Sequence, residues 1–313
     1  MAELEVIAAG PQVSVQDGGR PGFGRFGVPQ SGPMDRRALR IANLALGNPE
    51  AAAGIEVSRG GLALVCRSGP VTMALAGGGF GVWRDATPMP PWGVLTLRAG
   101  QRLDIRPGHW GSWTYLALPG LAVQVWLGSA STHLLSGFGG GALRPGQVLR
   151  LAQAPPQPDR AIPRPVSARP RPLIRVVMGP QDRFFDPATL ADFTARSFTL
   201  TDACDRMGVR LAGPHLPPAA PLDMPSEPIL RGSVQVAGDG VATVLLADHQ
   251  TTGGYPKIAT VLAQDIDGFA QLRPRDPVRF MAVTPESAIV TARLQAAAHA
   301  RYLAQFAVKS GAP

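Results

Sequence analysis

Lysine is almost missing from this chain. Lys257 and Lys309 are the only two in 313 residues, so the formal charge of +8 comes from arginine. The arginines are scattered, and no stretch alternates basic with aromatic side chains, which argues against a nucleic-acid platform and fits an Arg-, Ala- and Gly-rich genome. Cysteine is equally scarce. Cys66 and Cys204 stand alone, with no C-x-x-C and no Cys/His cluster at ligand spacing, so neither a disulfide framework nor a metal site is expected. No run reaches eighteen apolar residues, and Met1 to Gly10 lacks a basic region followed by an apolar one. The expectation is a cytoplasmic protein with no membrane segment. There is no Walker A sequence and no G-x-S-x-G elbow, which excludes a P-loop and a conventional serine hydrolase. His109, His133, His215, His249 and His299 show no spacing that suggests ligands or a triad. The five tryptophans, at 83, 92, 110, 113 and 126, read as core.

What the chain has in abundance is turn residues. With 37 Gly and 32 Pro and a hydrophobic fraction of 45%, it reads as a turn-rich β protein long enough for two domains. Short strand-like runs succeed one another at 4–8, 12–16, 62–66, 71–76, 93–97, 101–105 and 113–118, bounded by Gly, Pro or Asp, as in a barrel or sandwich. The glycine clusters at 77–81 and 137–141 read as hairpin turns. One helix interrupts the strands, over 34–46, with Ser31 and Pro33 at its entry and Gly47 to Pro49 as its stop. Between Ala152 and Pro172 seven prolines lie among four arginines, a composition expected to form an extended linker without ladder or helix. The expected domains are therefore 1–151 and 173–313. Strands are expected at 173–178, 241–247 and 278–283, and a short helix at 187–194. Thr284, Pro285 and Glu286 supply an N-cap, a first-turn proline and a favourable acid for a helix to about Val308.

Three segments hold more polar residues and glycines than packing requires: Gln16–Gly22 continuing through Gly27–Arg36, Asp205–Gly208, and Asp248–Lys257. In the third, Gln250, Thr251, Thr252, Gly253, Gly254, Tyr255 and Lys257 follow an apolar strand. Hydroxyls, approachable backbone N–H groups and a cation would suit an anion, but a glycine turn with a solvated lysine has the same sequence. Asp17 and Asp35 fit ordinary turn and helix-entry roles. Arg20 and Arg206 could each grip a carboxylate or phosphate, or form structural ion pairs.

The stretches V-Q-D-G-G-R-P-G, G-V-P-Q-S-G-P-M-D-R-R-A-L-R-I-A-N, D-R-M-G-V-R-L-A-G-P and Q-T-T-G-G-Y-P-K-I-A-T-V, in this order over residues 5 to 283, closely resemble the 5-oxoprolinase C-subunit / KipA family, related to the carboxyltransferase half of urea carboxylases. The resemblance implies a mainly β fold of two cyclophilin-like β-barrel domains with a few short helices and a C-terminal helix. It implies an ATP-dependent, Mg²⁺-requiring opening of 5-oxo-L-proline to L-glutamate, carried out with a KipI-like B subunit and the A subunit of 5-oxoprolinase. Within that scheme Lys257, with the backbone of Thr251 to Gly254, would hold phosphate, Arg206 or Arg20 the substrate carboxylate, and Asp35 would accept a proton. Asp17, Ser31, Met207, Gln250 and Tyr255 complete the candidate site. Two other expectations come from the same resemblance. One is a urea-carboxylase-like carboxyltransferase, although this chain has no biotin attachment sequence and biotin would have to arrive on another chain. The other is a non-catalytic regulator that binds a KipI-like kinase inhibitor. The sequence departs from the family in a shortened loop after Gly137-Phe138-Gly139-Gly140, in Ala212 where an acid is common, and in Arg231.

Overall fold

The computed structural model describes residues 1–219 and 224–306, which divide into two compact units. The first comprises Met1–Arg20, Asp35–Arg169 and the chain from His299; the second comprises Pro21–Met34 and Pro170–Ala298. No helix among the described residues is long and apolar enough to cross a membrane.

The first unit is built from β1 (Ala2–Ala9), β2 (Ser14–Gln16), β3 (Gly54–Ser58), β4 (Leu62–Ser68), β5 (Val71–Gly77), β6 (Gly81–Arg84), β7 (Thr87–Met89), β8 (Gly93–Leu97), β9 (Arg102–Arg106), β10 (Trp113–Ala117), β11 (Val148–Leu151) and β12 (Arg160–Ala161). They form two six-stranded sheets, ordered β11-β1-β4-β9-β6-β7 and β12-β8-β5-β10-β3-β2. Leu4, Val6, Leu64 and Ile105 from one sheet share a buried core with Ile55, Met73, Leu75 and Leu116 from the other. Each such side chain contributes about 1.5–3 kcal/mol on burial. The expected helix is α1 (Arg36–Leu46): the Asp35 carboxylate accepts the Ala38 N–H at 3.0 Å, and Gly47 ends it in the left-handed conformation at φ 89°. A residue with a Cβ would be strained there. Its Ile41, Ala42, Ala45 and Leu46 pack on Ala74, Ala76, Trp92 and Val94.

Two local expectations need correction. The glycines at 77–81 make no hairpin, because β5 pairs with β8 and β10 while β6 pairs with β7 and β9 in the other sheet. They carry the chain from sheet to sheet, and a Cβ on Gly77 would lie 2.6 Å from the Thr114 Cα. Nor is the Pro/Arg-rich stretch without ladder bonds. Gln157 and Asp159 bond to Thr72 and Thr96, β12 pairs with β8, and Ile162 is buried. The boundary between units falls inside that stretch, between Arg169 and Pro170. Residues 163–171 are mostly exposed, so a protease of broad specificity is expected to cut there first, near Val166, while 157–162 stays protected. Trypsin is a poor probe because Arg164, Arg169 and Arg171 each precede proline. Early cuts elsewhere, with 163–171 intact, would overturn this expectation.

The second unit contains β13 (Leu173–Met178), β14 (Phe198–Cys204), β15 (Gly208–Ala212), β16 (Glu227–Pro228), β17 (Ser233–Val236), β18 (Ala242–Leu245), β19 (Thr252–Gly253), β20 (Lys257–Val261) and β21 (Pro277–Ala282). Seven close into a barrel, β13-β20-β17-β18-β15-β14-β21, with β13 and β21 parallel. The remaining pair, β16 and β19, makes a separate two-stranded sheet. Closure leaves the barrel no open edge. The short helix α2 (Pro187–Ala195) starts on an Asp186 cap and stacks Phe193 against Phe280 at 4.7 Å. An unexpected helix, α3 (Ala263–Ala270), buries Ile266 and Phe269; eight residues containing Gly268 give too short and broken an apolar period to be legible in sequence. The long helix α4 (Pro285–Leu303) begins with the Thr284 hydroxyl accepting the Ser287 N–H at 3.2 Å. Its last turn contributes Leu303 to the first unit's core, and its expected end at Val308 lies outside the described residues.

Candidate functional site

The candidate residues fall into separate clusters within each unit. In the first, Asp17 follows β2 and its carboxylate accepts four hydrogen bonds: from the Ser129 hydroxyl at 2.5 Å, Ala130 N–H at 2.6 Å, Ser131 hydroxyl at 2.7 Å and Gly19 N–H at 2.9 Å. A carboxylate so fully engaged is a knot tying the 129–131 loop to the strand end, the turn role that the sequence suggested. Arg20 is buried, donates to the Ser131 carbonyl and lies 5.3 Å from the Trp126 ring centroid, with Phe138 stacked on that ring at 4.1 Å.

Asp35 caps α1, and its backbone N–H donates to the Tyr115 hydroxyl at 2.7 Å. Tyr115 in turn donates to Glu56 at 2.7 Å. Glu56 and Tyr115 are fully buried, and burial, reinforced by the negative charges of Glu56 and Asp35, pushes the Tyr115 phenol well above its ordinary range. It therefore remains a donor at any working pH. Sequence reasoning missed Glu56 and Tyr115. The one available signal was a glutamate inside the otherwise apolar Gly54-Ile55-Glu56-Val57 run.

In the second unit the Gly32–Met34 carbonyls are held by two arginines. Arg206 donates to the Gly32 carbonyl at 2.7 Å and forms a two-pronged pair with Asp248, at 2.8 and 3.0 Å, with both side chains no more than 3% exposed. That geometry is an internal clamp and uses the guanidinium edge that a substrate carboxylate would need. Arg231, the departure from the family, donates to the Pro33 and Met34 carbonyls at 3.2 and 2.6 Å and lies 3.5 Å from Asp267. Between these anchors and the preceding loop, Ser31 is buried at a positive φ of 55°, and its hydroxyl has no hydrogen-bond partner among the described residues. A buried polar atom left unpaired at a strained position costs stability. Met207, in the turn bonded to Asp205, is partly exposed.

The Gln250–Lys257 stretch is not an open glycine turn. Thr252 and Gly253 form β19 and pair with Glu227 and Pro228 of β16, while the Thr251 carbonyl accepts the Ile229 N–H at 3.0 Å. Gly254 is half-buried and Tyr255 is 50% exposed. Lys257 opens β20 and is only 3% exposed, so it is no solvated turn lysine. Its ammonium donates to Glu227 at 3.2 Å, and Gln181 donates to the same carboxylate oxygen at 2.5 Å. Gln181 also accepts the Lys257 backbone N–H at 3.1 Å. Across the ladder from Lys257 stands Gln235, whose side-chain oxygen accepts from Gln250 at 3.0 Å. Gln181, Glu227 and Gln235 were not singled out from sequence, because they come from three separate segments with no shared motif.

The carboxyltransferase domain model, subdomains A and B, matches residues 26–282. The C subunit of Escherichia coli 5-oxoprolinase is 34% identical over 292 residues, covering 91% of this chain and 93% of that one. The chain belongs to the 5-oxoprolinase C-subunit / KipA family. Two solved structures show the same fold. The crystal structure of TTHA0988 superposes with a TM-score of 0.81 at 34% identity, covering 90% of this chain and 55% of that one. The Kluyveromyces lactis urea carboxylase gives a TM-score of 0.86 at 26% identity, covering 99% of this chain and 30% of that one. As in the family, the chain is mainly β with a C-terminal helix.

A nucleotide fits the Lys257 surroundings poorly. The lysine is already paired with Glu227, so the cluster is close to neutral, whereas a triphosphate brings several negative charges. Among the described residues no group of three or more His, Cys, Asp or Glu is placed to hold a metal ion. What the cluster does suit is a neutral polar group.

Proposed function

We propose that the chain is the C subunit of an ATP-dependent 5-oxoprolinase that opens 5-oxo-L-proline to L-glutamate in the cytoplasm, with a KipI-like B subunit and an A subunit as partners. The observation that carries this reading is end-to-end similarity to a 5-oxoprolinase C subunit, over nine-tenths of both chains. Amide resonance makes a lactam a poor electrophile, and ATP bound on a partner chain would supply the activating phosphoryl group. The part of this chain is to hold the amide and stabilise charge on its oxygen through Lys257. Arg206 is reassigned from gripping the substrate carboxylate to holding the Gly32 loop, and Asp35 caps α1.

A second reading has its own support: the family model is described as a carboxyltransferase domain, and a urea carboxylase shares the fold over 99% of this chain. In that case the accepted group would come from biotin on another chain. Both readings place an N–C=O compound in the site.

The experiment is to purify the chain alone and with its encoded neighbours, and to measure ADP release with and without 5-oxo-L-proline. The complex should respond to 5-oxo-L-proline, while the isolated chain should show negligible ATPase activity. Robust 5-oxoproline-dependent turnover by the isolated chain would refute the need for partners. A complex that responds to urea and ignores 5-oxo-L-proline would favour the second reading.

A further inference from the structure

Gln235 is 5% exposed, and its side-chain nitrogen has no hydrogen-bond partner among the described residues. The other end of its amide is fixed, because the oxygen accepts from Gln250 at 3.0 Å. A buried amide N–H with no acceptor costs stability and persists only where something else gains by it. The amide has been given room: a Cβ on Gly253 would lie 2.9 Å from that nitrogen and 2.6 Å from the Ile229 Cδ1. Gly253 has no positive φ, so space rather than backbone conformation is what a side chain there would take away.

The neighbours say what the missing acceptor is. Lys257 faces Gln235 across the ladder and is neutralised by Glu227. Gln181 and Gln250 complete a set of three carboxamides around one ion pair. Such a set has no net charge, and because Gln181 and the Gln235 oxygen are engaged within it, what it leaves over is the Gln235 N–H, a donor suited to a carbonyl oxygen. A carboxylate or phosphate would bring charge with nothing left to balance it. We infer that this cluster is an amide-recognition subsite in which Gln235 donates to the carbonyl oxygen of an N–C=O substrate, a lactam or a urea-type compound, beside Lys257. Gln235 acts as a binding and specificity residue, and Gly253 leaves its amide the space it occupies.

This inference deepens the proposed function and rests on it. The test uses the complex assembled with the chain's encoded neighbours, with 5-oxo-L-proline and urea as parallel probes. Gln235→Met removes the donor at similar volume. Gly253→Ala displaces the amide through the ends of two flexible side chains and spares the barrel. Both should raise KM for the substrate turned over by about tenfold or more, with a smaller change in kcat and with partner binding retained. Melting curves separate this from a folding defect, since a merely structural glutamine would lower the melting temperature and leave KM alone. An active complex whose KM is indifferent to both substitutions overturns this inference and leaves the proposed function standing. A wild-type complex idle on both probes overturns the proposed function, and this inference with it.

Discussion

Lys257→Gln is expected to lower turnover of the assembled complex on the order of a hundredfold, the loss of roughly 3 kcal/mol of transition-state stabilisation. The structure sharpens this expectation. A lysine 3% exposed, on a barrel strand and facing Glu227, is held in one place before substrate arrives. Preorganised charge of that kind does more than a mobile surface cation. Glutamine is one bond shorter and keeps an N–H donor but removes the charge, leaving Glu227, whose side chain is 39% exposed, able to turn to water. The folding cost should therefore be about 1 kcal/mol, small beside the kinetic effect. The measurement is steady-state ADP release by wild-type and variant complexes, alongside melting curves and partner binding. Unchanged turnover would falsify the role given to Lys257. Loss of turnover together with partner binding would place Lys257 at an interface with a partner chain instead.

The second large effect concerns stability. Arg206→Met should destabilise the second unit by about 3–5 kcal/mol, because it strands the Asp248 carboxylate in the interior and releases the Gly32 carbonyl. For a unit of this size that corresponds to a fall of roughly 6–20 °C in melting temperature. Substituting both partners, Arg206→Met with Asp248→Leu, should recover part of the loss, since a buried pair replaced by apolar groups can be nearly neutral. The same experiment separates the two roles that the sequence left open for Arg206. A substrate-gripping arginine predicts a raised KM with the melting temperature intact, whereas the clamp predicts the reverse order of effects. A variant that melts with the wild type would discard the clamp.

How much was legible in the sequence follows from the range of the forces involved. The strands over 93–97 and 173–178 match in full and that over 62–66 in its start, because short β-rich runs between turn residues are local signals. The starts of α2 and α4 were legible for the same reason, since caps and first-turn prolines act within four residues, whereas α1 begins at Arg36 on an Asp35 cap, two residues after the expected start at 34. Family membership was also written in the sequence, in four ordered motifs, and the family model's match over residues 26–282 agrees with it.

Only the tertiary structure decided what those residues do. Whether Lys257 is solvated or buried depends on Gln181 and Glu227, 76 and 30 positions away, and no local pattern encodes such pairings. Arg206 looked equally suited to a ligand or an ion pair until closure of the barrel set Asp248 against it. Glu56 and Tyr115 became partners because β3 and β10 pair in register, a contact fixed by sheet order. Sequence determined the elements and the family, since propensity, capping and turn chemistry are short-ranged. The fold determined which polar groups are satisfied and which, like the Gln235 amide nitrogen and the Ser31 hydroxyl, are left without a partner among the described residues, since burial and long-range pairing exist only once the chain has closed on itself.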